Sequence, residues 1–240
     1  MGVEGFGGRA HRGLLLGVTV VAAVELAGLS GSRVAQAERP TLEVTNPEVV
    51  VCVQPLGDHD PRLLAASERG ITYLYGFAVR RLPPRPLPKA AWVPARRRWR
   101  ADVLLDDLSA ARPEGCTMIL GFTHRDISTT KLPYQDWGIL GLGEVGGTAG
   151  VVSTWRVGRK LSAPHTRARR TVKVVNHELG HILGLPHVKG EGCLMNDAEG
   201  TVLSVDGESG LLCASTVEYI ERTHSRQIPR HAVFEWSKVE

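Results

Sequence analysis

Apolar positions come mostly in short unbroken runs bounded by glycine and proline, the mark of strands covered on both faces rather than of half-exposed alternation. "PEVVVCVQPLG" (47–57) reads as a buried strand stopped by Pro55 and Gly57. "CTMILGFTH" (116–124) reads as another, with weaker β segments near 73–81, 138–142 and 149–157, the last two separated by a Gly-rich turn at 143–150. Between them the pattern predicts a short helix over 61–69, opened by Pro61 and closed by Gly70, and a helix over about 97–111 with Val103, Leu104 and Leu108 on one side. The five prolines of "LPPRPLPKAAWVPA" (82–95) exclude regular structure there and predict a surface connection. After a basic loop (158–169), helices are expected over about 170–183 and 212–224. Strands alternating with helices, then a helix-rich end, describe a single compact α/β or α+β domain, a mixed β-sheet capped by helices.

Composition adds little to this picture except at the start of the chain. Of 240 residues, 42% are hydrophobic and 22% charged, ordinary for a folded domain. The charge balance of +4 does not demand a nucleic-acid partner. The basic clusters "RRRWR" (96–100) and "RARR" (167–170) are expected as solvated faces or loops. At the N-terminus, Arg9, His11 and Arg12 precede the apolar run "GLLLGVTVVAAV" (13–24), and "VAQA" ends in Ala35-Gln36-Ala37. A basic start, a short apolar middle and a small-x-small end predict a secretory signal peptide over 1–37, leaving 38–240 as the folded domain. No cysteine sits at the cleavage site, where Glu38 follows Ala37, so a lipid-anchored form is not expected.

The chemistry is concentrated in "HELGHILGLPHVKGEGCLM" (177–195). With about 100° of rotation per residue, Val172, Val175, Leu179, Ile182 and Leu183 share one third of the helix circumference. His177 and His181 then lie on the other side, one turn apart. That spacing converges two imidazoles on one point, as tetrahedral Zn²⁺ requires, and leaves Glu178 beside the metal as a general base. Gly184 allows the left-handed reversal that would bring His187 to the same ion. Three imidazoles leave one position open, the arrangement of catalytic rather than structural zinc.

The run "HELGHILGLPH" matches in full the HExxHxxGxxH signature of the metzincin zinc peptidases, and resembles in particular the archaemetzincins, because Met195 of a Met-turn follows His187 so closely. In that family four cysteines hold a second, structural zinc. The corresponding positions here are Val188, Cys193, Cys213 and Thr216, so the register is kept while two ligands are missing. The resemblance continues upstream through "VVVCVQPLGD", "PLPKAAWVPARRRWRADVLLDDL" and "ILGFTHRDI". It implies a zincin-like domain with an active-site helix and a C-terminal helix. It also identifies "AGVVSTWRV" (149–157) with the edge strand that borders the cleft and would receive an extended peptide.

From this resemblance, a Cys193–Cys213 disulfide is expected in place of the second zinc, worth on the order of 3 kcal/mol for a loop of about 20 residues. If the first and third strands are parallel neighbours with Pro55 opposite about Thr123, Cys116 lies ~13 Å from the level of Cys52. A disulfide needs Cα atoms within about 7 Å, so both are expected as buried free thiols. The reading is then an exported peptidase with one catalytic zinc, periplasmic or extracellular. It would act as a monomer on peptide or protein substrates, with no nucleic-acid partner and no membrane association once the leader is removed. The alternative is a catalytically silent zinc-containing module that binds peptides. An intact Glu178 speaks against it, since stability alone needs no carboxylate there. Arg156 could bind a substrate carboxylate, although an arginine beside a strand is more commonly a plain surface residue.

Overall fold

The computed structural model describes residues 48–159, 166–189, 192–197 and 201–240. The leader over 1–37 lies outside the described residues. Val44–Glu240 form one compact unit. Its centre is β1 (Val50–Pro55) beside β5 (Met118–Thr123), the two continuous apolar runs of the sequence. They pair in parallel, Cys52 opposite Ile119 and Pro55 opposite Phe122. The sheet is completed by β2 (Ala78–Arg81), β9 (Ala149–Ser153) and β8 (Gly141–Gly143), in the order β2-β1-β5-β9-β8, with only β8 antiparallel. Strand alternation divides the core in two. Val51, Val53, Leu120 and Phe122 face α1 (Pro61–Tyr75) and α3 (Thr166–Ile182), while Cys52, Ile119 and Val151 face α2 (Ala101–Ala110).

A second sheet joins β3 (Trp92–Val93), β4 (Arg98–Arg100), β6 (Ile127–Lys131) and β7 (Tyr134–Ile139) in that order. The C-terminal part adds α4 (Val202–Gly207) and α5 (Ala214–His224). Among the described residues no helix is long and apolar enough to cross a membrane.

Several expectations change. The first helix does not stop at Gly70 but runs on to Tyr75. Gly70 is where α1 crosses α3: a Cβ there would come within 2.5 Å of Val172 Cγ1. Residues 98–100 extend as β4 instead of opening the next helix, because Trp99 pairs with Ile127 of β6. The β6–β7 hairpin had no strong signal, since most of its outer residues are polar or half-exposed. The strand over 149–157 is shorter than expected and is not the edge. The Gly-rich reversal lays 141–143 back along it, Gly141 opposite Val152 and Gly143 opposite Gly150, so β8 takes the edge.

Cys52 and Cys116, expected as free thiols, are joined in a disulfide with Cα atoms 5.6 Å apart. The ~13 Å estimate assumed an extended chain below Thr117. Instead a turn, with the Cys116 N–H donating to Pro113 O at 3.2 Å, folds the segment leaving α2 back over the sheet face that Cys52 also occupies. The basic clusters are solvated only in part: Arg96, Arg97 and Arg169 are exposed as expected, while Arg98 and Arg170 are engaged in ion pairs. Arg98 bridges Asp126 (3.0 Å) and Asp136 (3.7 Å). Arg170, 1% exposed, is pinned to Asp206 by Nε and Nη2, both at 2.6 Å.

Candidate active site

Every residue from Arg170 to Ile182 of α3 is buried, so the helix is held from all sides and its polar groups must find partners inside. His177 and His181 do so through Nδ1. His177 donates to Leu194 O at 2.7 Å and His181 to Leu185 O at 2.8 Å. With Nδ1 protonated and bonded, each Nε2 lone pair is turned into the cavity. Burial depresses both imidazoles, His177 to about 4, so they are neutral and ready to ligate at neutral pH.

The third imidazole arrives through the predicted reversal. Gly184 has φ +90°, its N–H donates to His181 O (2.8 Å), and the Leu185 N–H donates to Gly180 O (3.0 Å). This turn presents the Leu185 carbonyl to His181 and brings His187 back over the helix. His187 Nε2 stands 3.2 Å from His177 Nε2 and 3.2 Å from His181 Nε2. Tetrahedral zinc with Zn–N bonds near 2.0–2.1 Å places its nitrogens about 3.3 Å apart, so the three donors fit that ion. Among the described residues they are the only cluster of three or more metal-ligating side chains.

Met195 is fully buried beneath the helix, in contact with the space a side chain on Gly180 would fill. Its segment does more than provide an apolar floor. Leu194 O orients His177, and Met195 O accepts the Val188 N–H at 3.0 Å, fixing the chain next to His187. The turn is tied in place by a disulfide from Cys193 to Cys213, the N-cap of α5, with Cα atoms 5.2 Å apart. Val188 packs against the core, and Thr216 donates to Cys213 O at 2.7 Å, so neither residue offers a metal ligand.

Glu178 faces β8, where a Cβ on Gly141 would lie 2.6 Å from Glu178 Oε1 and one on Gly143 would collide with the Glu178 carbonyl. Only a Gly-x-Gly strand can pass this close, a pattern legible in "GLG" but read there merely as the approach to a turn. Burial pushes the Glu178 carboxyl up to about 8, opposed by a hydrogen bond from the Gly143 amide. A cation held at the triad favours the ionised form and draws it down again. The triad and Glu178 open into a cavity of about 460 Å³ walled by Trp137, Leu142, Val145, Val174 and Val205, with Glu208 also on its lining. Sequence reasoning missed Glu208, which no motif singles out. Arg156 pairs with Asp126 at 2.7 and 2.9 Å and is not among the residues lining this cavity.

Fold and site together define a zinc peptidase: a mixed sheet with a glycine-passed edge strand, a helix-borne histidine pair with glutamate, and a third histidine beyond a glycine reversal. Comparison with known proteins makes this specific. Residues 105–222 match the model of Peptidase family M54. The archaemetzincin of Methanopyrus kandleri is 32% identical over 141 residues, 58% of this chain and 75% of that protein. That of Haloarcula marismortui is 28% identical over 172 residues, 69% and 95% respectively. The crystal structure of the M. kandleri archaemetzincin superposes with TM-score 0.66 at 25% identity, covering 77% of this chain and all of that one. The malonate complex from Archaeoglobus fulgidus, at 22% identity and TM-score 0.59, shares the fold. The chain belongs to the archaemetzincin family of zinc metallopeptidases.

Proposed function

We propose that this chain is an exported peptidase with a single zinc held by His177, His181 and His187 and with Glu178 as general base. The observation that carries the reading is the convergence of three Nε2 atoms, two of them backed by Nδ1–H bonds to carbonyls, beside a buried carboxyl in one cavity. Zinc, when bound, supplies Lewis acidity that polarises a scissile carbonyl and acidifies water. Glu178 accepts the proton of the attacking water and returns it to the departing amine. The Gly143 amide favours the ionised form of that carboxylate, and the cavity walls beside it are largely apolar. An extended peptide pairs along β8, the edge of the five-stranded sheet, which lines the cavity opposite the triad helix.

The test is cleavage of a peptide library by zinc-loaded residues 38–240. Cutting should stop with a zinc chelator, resume on adding zinc, and be absent from His187→Ala. Cleavage that survives chelation, or no cleavage of any peptide, sinks the reading.

The bond between Cys193 and Cys213 supports one zinc per chain, since it occupies the two thiols left of the family's second metal site. Two disulfides also suit an oxidising compartment and agree with the leader pattern. The chain recovered from an export-competent bacterium should therefore begin at Glu38, contain one zinc by elemental analysis and show no thiol reactive to Ellman's reagent after denaturation. Two zinc ions per chain, or two free thiols, would count against it.

A further inference from the structure

Glu208 lies one residue beyond α4, is 7% exposed, and lines the same cavity as His177 and Glu178, yet the mechanism above gives it no part. Lys173 fixes its location. The Lys173 ammonium donates to Val205 O (2.9 Å), Asp206 O (3.4 Å) and Glu208 O (2.6 Å). The end of α4 is thereby strapped to the turn of α3 just ahead of Val174 and His177. Those three carbonyls take up the ammonium's donors, and among the described residues no hydrogen bond reaches the Glu208 carboxyl. Burial pushes that carboxyl up to about 8, with Lys173 opposing.

A carboxyl that opens from a largely buried residue into an apolar cavity, with no donor from a described residue on it, is available to the cation of a bound ligand. The neighbouring walls, Val174 and Val205, are aliphatic and buried. Aliphatic walls with one carboxyl among them match a long cationic side chain, whose methylene stem lies on apolar surface while its head group meets the carboxylate. The cation on the cavity lining, Lys131, belongs to the β6–β7 hairpin and sits over Trp137 at 5.8 Å.

We infer that Glu208 makes this site select substrates carrying lysine or arginine beside the scissile bond, through an ion-paired hydrogen bond to the side-chain cation. The inference rests on the peptidase reading and adds its substrate class. The first arm of the test is the cut sites of the zinc-loaded chain in an unbiased peptide library, which should be enriched in Lys and Arg at one position adjacent to the cleaved bond. For matched peptides with Lys or norleucine there, the kcat/KM ratio should fall about tenfold to a hundredfold in Glu208→Gln. The second arm needs no turnover: zinc-loaded Glu178→Gln should bind Lys-scanned peptides more tightly than norleucine-scanned ones, and adding Glu208→Gln should remove the difference. Cleavage without basic enrichment, or a preference that survives Glu208→Gln, overturns the inference and leaves the peptidase reading standing. Glu208-dependent binding of basic peptides with no cleavage does the reverse. A pair that merely balances Lys173 would appear as lost thermal stability in Glu208→Gln with both preferences intact.

Discussion

Glu178→Gln should lower kcat by roughly 10³-fold, within the span of about 10² to 10⁴ typical of general acid–base catalysis, while zinc content stays at the wild-type level. The two expectations separate because the groups do different things. The proposed ligands include two imidazoles oriented by Leu194 O and Leu185 O, and Glu178 takes no part in either bond. Glutamine keeps the shape that fills the space opposite Gly141, so β8 need not move, but it cannot accept a proton. KM should change little, since the walls of the cavity are untouched. Stability should not fall, because the charge being removed is one that burial disfavours. Steady-state kinetics, elemental analysis and a melting curve check all of this together. Activity within tenfold of wild type would remove Glu178 from the role of base. Lost zinc with lost activity would make it a structural group instead.

The candidate site could be read from the chain because its geometry is local. His177, Glu178 and His181 lie on one helix whose rotation per residue is fixed, and His187 follows across a reversal that Gly184 makes sterically possible. Spacing then stands in for distance. What escaped the sequence depends on contacts between remote segments. Nothing in "VVSTW" says that residues 141–143 fold back against it and take the edge of the sheet. The disulfide between Cys52 and Cys116 depends on how the chain turns after α2, 64 residues along from its partner. Glu208 reaches the cavity that Val174 and His177 line because Lys173 and Arg170 fasten α4 against α3. A buried arginine is rare unless paired, and the sequence shows Arg170 only as one of a basic run.

That fastening leads to the largest expected loss of stability. Arg170 sits at 1% exposure, and its bonds to described residues include Nε and Nη2 to the Asp206 carboxylate and Nη1 to Val157 O at 3.0 Å and Arg159 O at 2.6 Å. Arg170→Ala leaves a cavity, two carbonyls without their donor and a carboxylate without its cation. Breaking a buried pair costs about 3–5 kcal/mol. Asp206 is one-third exposed and can turn to water, so about 3 kcal/mol is the better expectation. For a domain of this size that is a fall in Tm of roughly 6–12 °C. Arg170→Lys should recover little, because an ammonium cannot present a planar fork to the carboxylate while reaching both carbonyls. Asp206→Asn should cost less than Arg170→Ala, since it leaves the carbonyl bonds in place. The damage should stay on one side of the site. The imidazoles answer to Leu185 and Leu194, not to α4, so zinc should still bind to the folded variant. The cavity wall carried by Val205 and Glu208 should loosen, and discrimination among substrates should weaken before catalysis does. A melting point within a degree of wild type would mean that α4 is held by its apolar contacts and that the Arg170–Asp206 pair is incidental.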